Sequence, residues 1–170
     1  MPNMVVQKLQ PIHQPRIQTP ARVFGNLARY VHAIDEDRLE QWPEFFADDG
    51  RYRITTVENV ERGLPLSLMY ATSRAMMRDR INSLRNANVY ESQRYRHAVG
   101  TPLIEPGSDG VVRAVTNFLV ARIMHTGETT LFATGRYEDR IAFPDGHPCF
   151  LEKTVILDSR QIDTLLAIPL

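Results

Sequence analysis

The chain has 170 residues, 43% of them hydrophobic and 24% charged, and its acidic and basic side chains cancel to a formal net charge of zero. That length suits a single domain with a real core, and the neutral balance argues against nucleic acid as the main partner. No apolar run approaches the roughly 20 residues that span a bilayer, and the opening MPNMVVQKLQPIHQPRIQTP lacks the apolar stretch of a secretion signal, so a cytoplasmic protein with no membrane partner is expected.

Residues 1–18 carry prolines at positions 2, 11 and 15 without periodicity and read as an extended N-terminal arm ahead of a domain over 19–170. Thr19-Pro20 then has the form of an N-cap followed by proline at the first helical position. Val23, Leu27, Tyr30, Val31 and Ile34 follow at helical spacing. Asp35 is placed to cap a second helix with Leu39, Trp42, Phe45 and Phe46 inward, although Pro43 should kink or restart it. Asp49-Gly50 is expected to end the helical region, RYRITTVE (51–58) alternates like a strand, and 59–70 reads as a loop. Ser73 can cap a third helix with Met77, Ile81 and Leu84 on one stripe and Arg74, Arg78 and Arg85 on a second beside it.

From residue 94 the character changes. RYRHAVGTPLI (94–104), VVRAVTNFLVARIM (111–124), TTLFATGRYEDRIAF (129–143) and CFLEKTVILD (149–158) are strand-like runs joined by the glycine-containing turns PGSDG, HTGE and PDGH. Helices followed by a meander of long strands predict an α+β fold, with a strongly curved antiparallel sheet wrapped around the N-terminal helices. The terminal LLAIPL is too apolar for a free tail and should pack against this core or a neighbour.

Arginines dominate the basic residues, the only lysines being Lys8 and Lys153. Acidic side chains crowd Asp35 to Asp49, while Arg74, Arg78, Arg80, Arg85, Arg94 and Arg96 crowd another segment. Either the two faces are solvated or pair with each other, or the arginines form a contact surface for another protein.

Chemistry of the chain's own finds little support. The five histidines show no HxH or HExxH pairing, and no glycine pattern matches a phosphate loop. The single cysteine, Cys149, excludes an internal disulfide and reads as a small core residue. One enzymatic reading survives, a cofactor-independent dehydratase or isomerase acting in the cavity of the cone. His97 with Tyr95, or Asp35 with Tyr30, would be its acid–base pair. A ligand-binding module without chemistry is a further possibility.

Several stretches resemble the small (β) subunits of Rieske-type aromatic ring-hydroxylating dioxygenases. They are YVHAIDEDRLEQWPEFFADDGRYRI (30–54), ERGLPLSLMY (61–70), MMRDRINSLRNANVYESQRYRH (76–97), HTGETTLFATGRYEDR (125–140) and EKTVILDSRQIDTLLAIPL (152–170). The EQWPEFF form and the 78–97 block most resemble subunits serving aromatic carboxylates, terephthalate above all, with anthranilate, salicylate and benzoate open. The resemblance implies a cystatin-like or NTF2-like cone and a chain with no cofactor or catalytic residues of its own. The Rieske [2Fe-2S] cluster and the mononuclear non-haem Fe(II) would lie in a large α subunit. It further implies an α3β3 hexamer with β–β contacts, supplied with electrons from NADH by a reductase. On that reading Arg78, Arg94, Tyr95, Arg96 and His97 belong to a subunit interface rather than an active site, and by the same logic the acidic segment is placed to meet basic surface on a partner.

Overall fold

The computed structural model describes residues 18–86, 91–107, 110–160 and 166–170; the expected N-terminal arm lies outside them, apart from its last residue. Helix α1 spans Gln18–Asp35 and turns Val23, Leu27, Tyr30, Val31 and Ile34 inward, as their spacing requires. A short 3-10 helix, Leu39–Phe45, follows and buries Leu39 and Trp42. Pro43 is accommodated because a short 3-10 turn does not need the i→i−4 ladder that proline breaks.

Asp49-Gly50 does not terminate the helical region. Strand β1 begins earlier and runs Phe46–Thr56, with a register shift between Phe46 and Arg51. Gly50 lies in this bulge, where a Cβ would stand 2.8 Å from Ala47 O, so the chain folds back on itself too closely for a side chain. The stretch expected as a loop holds a one-turn helix α2, Val57–Glu61, capped by the Thr56 hydroxyl, and enters strand β2, Met69–Ala71. Ser73 Oγ accepts from Met76 N at 3.2 Å and opens helix α3, Arg74–Asn86, which buries Met77, Ile81 and Leu84.

Strands β3 (Gln93–Val99), β4 (Leu103–Pro106), β5 (Val112–Met124), β6 (Thr129–Ala142) and β7 (Cys149–Leu157) complete one sheet. Its order is β2-β1-β7-β6-β5-β3, with β4 also paired to β5. The run 94–104 is divided because the chain leaves the β3 pairing near Gly100 and returns as β4. The sheet is mixed rather than wholly antiparallel: β1 pairs parallel with β7, while every other pairing is antiparallel. Register shifts at Val120/Ala121 and Arg140/Ile141 interrupt the long strands, and bulges of this kind bend a sheet. At Gly135 a side chain would run into the main chain of Ile156, so glycine lets β6 and β7 approach at this bend.

The concave face closes over the helices. Trp42, Tyr30, Tyr52, Tyr137, Phe46, Phe118 and Phe150 are among the largest fully buried side chains. Most of them meet edge to face, as Trp42 and Tyr52 do at 4.9 Å, and Phe118 stacks on Tyr137 at 4.4 Å. The C-terminal Leu166–Leu170 packs into this core. No helix among the described residues is long and apolar enough to cross a membrane.

Candidate functional site

Alternation along β3 sends Tyr95 and His97 to the concave face and Arg94 and Arg96 to the convex one. Tyr95 stacks on Phe132 at 5.2 Å, beneath the guanidinium of Arg122, which lies 4.9 Å from the same ring. His97 meets the end of α1. Its Nδ1 lies 2.6 Å from Asp35 Oδ1, and its main-chain N–H donates to Asp35 Oδ2 at 2.9 Å. Both side chains are almost wholly enclosed, and His97 Nε2 is buried with no hydrogen-bond partner among the described residues.

This overturns the capping role expected of Asp35. The residue before the 3-10 helix is Arg38, which makes no side-chain cap, and the Asp35 carboxylate is spent on His97. Of the acid–base pairs considered from the sequence, the structure joins one member of each, His97 and Asp35. Tyr95 lies 6.4 Å from His97, ring centre to ring centre, and Tyr30 is engaged elsewhere.

The acidic and basic segments largely pair with each other within the chain. Arg85 forks onto Asp37 and Glu40 at 2.9 and 2.8 Å, Arg78 reaches Glu44 at 2.8 Å, and Arg96 reaches Glu36 at 3.0 Å. Arg74 binds Asp48 and also donates to the Phe46 carbonyl from Nε and Nη2. Arg94 is exposed and makes no ion pair among the described residues. Hydrogen bonding to Arg85 holds the Glu40 carboxyl below its ordinary value.

Deeper in the cone lies a pair that sequence reasoning missed. Lys153 and Asp139 are both buried, with Nζ 3.0 Å from each carboxylate oxygen. The ammonium is also 3.9 Å from the Tyr137 ring centre and 4.6 Å from those of Tyr30 and Phe150. Burial pushes the Asp139 carboxyl up and the Lys153 amine down, and each partner opposes the other's shift. Strand alternation carried the signal, because Lys153 shares a face with Val155 and Leu157. Beside this pair, the Tyr30 and Tyr52 hydroxyls donate to Leu170 O at 2.7 and 3.0 Å, and Trp42 Nε1 donates to Tyr30 Oη at 3.2 Å. Burial pushes the hydroxyl pKa values of Tyr30, Tyr52 and Tyr137 well above the ordinary range, so all three hydroxyls stay neutral.

Cys149 is half-buried at the start of β7, not a core residue, and burial raises its thiol pKa. No group of three or more His, Cys, Asp or Glu able to hold a metal occurs among the described residues. An open groove of 640 Å³ runs between α1 and the turn before β7, lined by Arg22, Arg29, Asp145 and His147 and not by His97 or Asp35.

Fold and interior together describe a curved-sheet cone closed by its own aromatic rings, and residues 29–164 match the family model for the ring hydroxylating beta subunit. The chain belongs to that family. It is 46% identical over 143 residues to the terephthalate 1,2-dioxygenase terminal oxygenase component subunit beta 1 of Comamonas sp., covering 84% of this chain and 93% of the relative. The anthranilate 1,2-dioxygenase small subunit of Burkholderia cepacia is 39% identical over 84% of this chain and 88% of its own length. Among solved structures, a beta subunit from Novosphingobium aromaticivorans, assigned to an aromatic-ring-hydroxylating dioxygenase, superposes with a TM-score of 0.83 at 35% identity. It covers 90% of this chain and 97% of that one.

Proposed function

We propose that this chain is the non-catalytic β subunit of the terminal oxygenase of an aromatic-carboxylate dioxygenase, with terephthalate as the substrate, and that it stabilises an α3β3 hexamer. The observation that carries the reading is the interior of the cone. It is filled by Tyr30, Trp42, Phe46, Tyr52, Tyr137 and the segment ending at Leu170, and the His97 side chain is sealed from solvent. The substrate assignment rests on the 46% identity to the Comamonas subunit. A Rieske cluster needs two thiolates and two imidazoles, and a chain with one cysteine does not fit it. The cluster and the mononuclear iron are therefore assigned to the α subunit, which a reductase supplies with electrons from NADH.

Arg78, Arg94 and Arg96 supply the outward part of the docking face. Arg94 has its guanidinium unspent among the described residues, and the side chains of Arg78 and Arg96 remain about half exposed at 52% despite their pairings. Tyr95 and His97 would act there from within, by fixing the strand that presents the arginines. Charge-assisted arginine pairs suit such a contact.

Purifying the tagged chain from its native host and measuring the mass and iron content of what accompanies it tests the reading. A larger iron-bearing chain in equal amount is expected, and Arg94→Ala with Arg96→Ala should weaken its retention while leaving the β subunit folded. A lone, metal-free chain would overturn the subunit assignment. The second reading, a cofactor-independent dehydratase or isomerase, draws on the 2.6 Å His97–Asp35 contact. It would require the cone to open, because the His97 side chain is sealed from solvent.

A further inference from the structure

The last five residues of the sequence are buried without being woven into the sheet. Leu166, Ala167, Ile168 and Leu170 are all enclosed, Leu170 completely. Yet among the described residues no main-chain hydrogen bond ties this segment to a strand or helix. Buried backbone ordinarily finds its partners in such ladders.

Side chains of the body take that role. Arg80 Nη2 donates to Leu166 O at 3.3 Å, and the Tyr30 and Tyr52 hydroxyls converge on Leu170 O at 2.7 and 3.0 Å. The Tyr52 hydroxyl also accepts from the Leu170 N–H at 2.9 Å. Tyr30 Oη accepts from Trp42 Nε1 at 3.2 Å, so with Leu170 in place both tyrosines have a donor and an acceptor partner. Three of the groups involved, Tyr30, Trp42 and Tyr52, come from α1, the 3-10 helix and β1. They are held by one another through edge-to-face contacts that do not involve the segment, Trp42 on Tyr52 at 4.9 Å among them.

Apolar walls with a few convergent polar groups, pre-formed on separate elements, are the makeup of a ligand site, and side-chain capture of a peptide's main chain is how one recognises an extended segment. We propose that the interior of the cone beside Tyr30 and Tyr52 is a binding site for a short apolar segment of the type Leu-Ala-Ile-Pro-Leu, and that the chain's own residues 166–170 occupy it in cis as a separable ligand. The inference draws on the same filled interior as the proposed function, but peptide binding by the isolated chain is read without the α subunit, so the two stand or fall on different measurements.

The test places a protease site between Arg160 and Leu166, lets the whole chain fold, and then cuts it. The cut protein should keep its sheet by circular dichroism and bind fluorescent Leu-Ala-Ile-Pro-Leu saturably, one per chain, with no competition from the scrambled peptide. Tyr30→Phe combined with Tyr52→Phe should weaken that binding by about tenfold or more. Unfolding of the cut protein as the segment leaves, or peptide uptake that neither saturates nor depends on sequence, would overturn the proposal. In the uncut chain, the Leu170 amide should exchange with solvent faster than the amides of β6, through a local opening. Exchange of both only on global unfolding would make the segment an ordinary part of the core, and the proposal would fall.

Discussion

Asp35, the last residue of α1, receives both the ring Nδ1 of His97 and its main-chain N–H, at 2.6 and 2.9 Å. One carboxylate thereby ties the end of the first helix to the edge strand of the sheet. Replacing Asp35 by alanine leaves a buried N–H and a buried imidazole without their acceptor, a loss of about 2–3 kcal/mol in chemical denaturation. Asp35→Asn retains one acceptor oxygen and should lose less. Equal stability of the alanine variant and the parent would show that the tie contributes nothing.

The Lys153–Asp139 pair gives a sharper contrast between single and double changes. Lys153→Ala strands a buried carboxylate and Asp139→Ala strands a buried ammonium, and each should destabilise by about 3–5 kcal/mol. Lys153→Met together with Asp139→Leu removes both charges and fills the space, so it should be clearly more stable than either single variant. Urea midpoints of the three proteins decide the matter. Additive losses would mean the two groups do not act as a pair.

At the surface, Arg85 holds Glu40 and Asp37 together. The Glu40 pKa is lowered in the folded chain, so its contribution is present above its ordinary value of 4.5 and is lost as the pH falls through the lower folded value. Arg85 and both carboxylates are partly solvated, which limits the contribution to about 0.5 kcal/mol. The stability difference between the parent and Glu40→Gln should therefore be small at pH 7, shrink below pH 4.5 and fall with added salt. A difference that grows on acidification would reverse the assignment.

Much of this architecture was legible because it is periodic. Val23, Leu27, Tyr30, Val31 and Ile34 define one helix face, and the alternation in RYRH correctly separates Tyr95 and His97 from the two arginines. What escaped was set by distance along the chain. Asp35 looks like a cap because capping is local, whereas its real partner lies 62 residues away. Asp49-Gly50 looks like a stop because that dipeptide favours turns, yet here it forms a bulge inside a strand whose parallel neighbour is the last strand of the sheet. Opposite charges at 35–49 and 74–96 left open whether the match was within the chain or with a partner, and only the packing of α3 against the 3-10 helix shows the internal pairs. No local pattern announces a docking face, so the role proposed for Arg94 and Arg96 rests on their exposure.

The parallel pairing of β1 with β7 also fixes the order in which a ribosome can deliver a finished molecule. β1 is made early, but its central neighbour is β7, and the Tyr52 hydroxyl both donates to and accepts from Leu170, 118 residues further on. Closing such a long loop comes before any reward from the contact, which makes folding slow and late. The emerging chain thus carries the open, aromatic half of its core from the synthesis of β1 until β7 has followed, and that is the interval in which it is most exposed to aggregation.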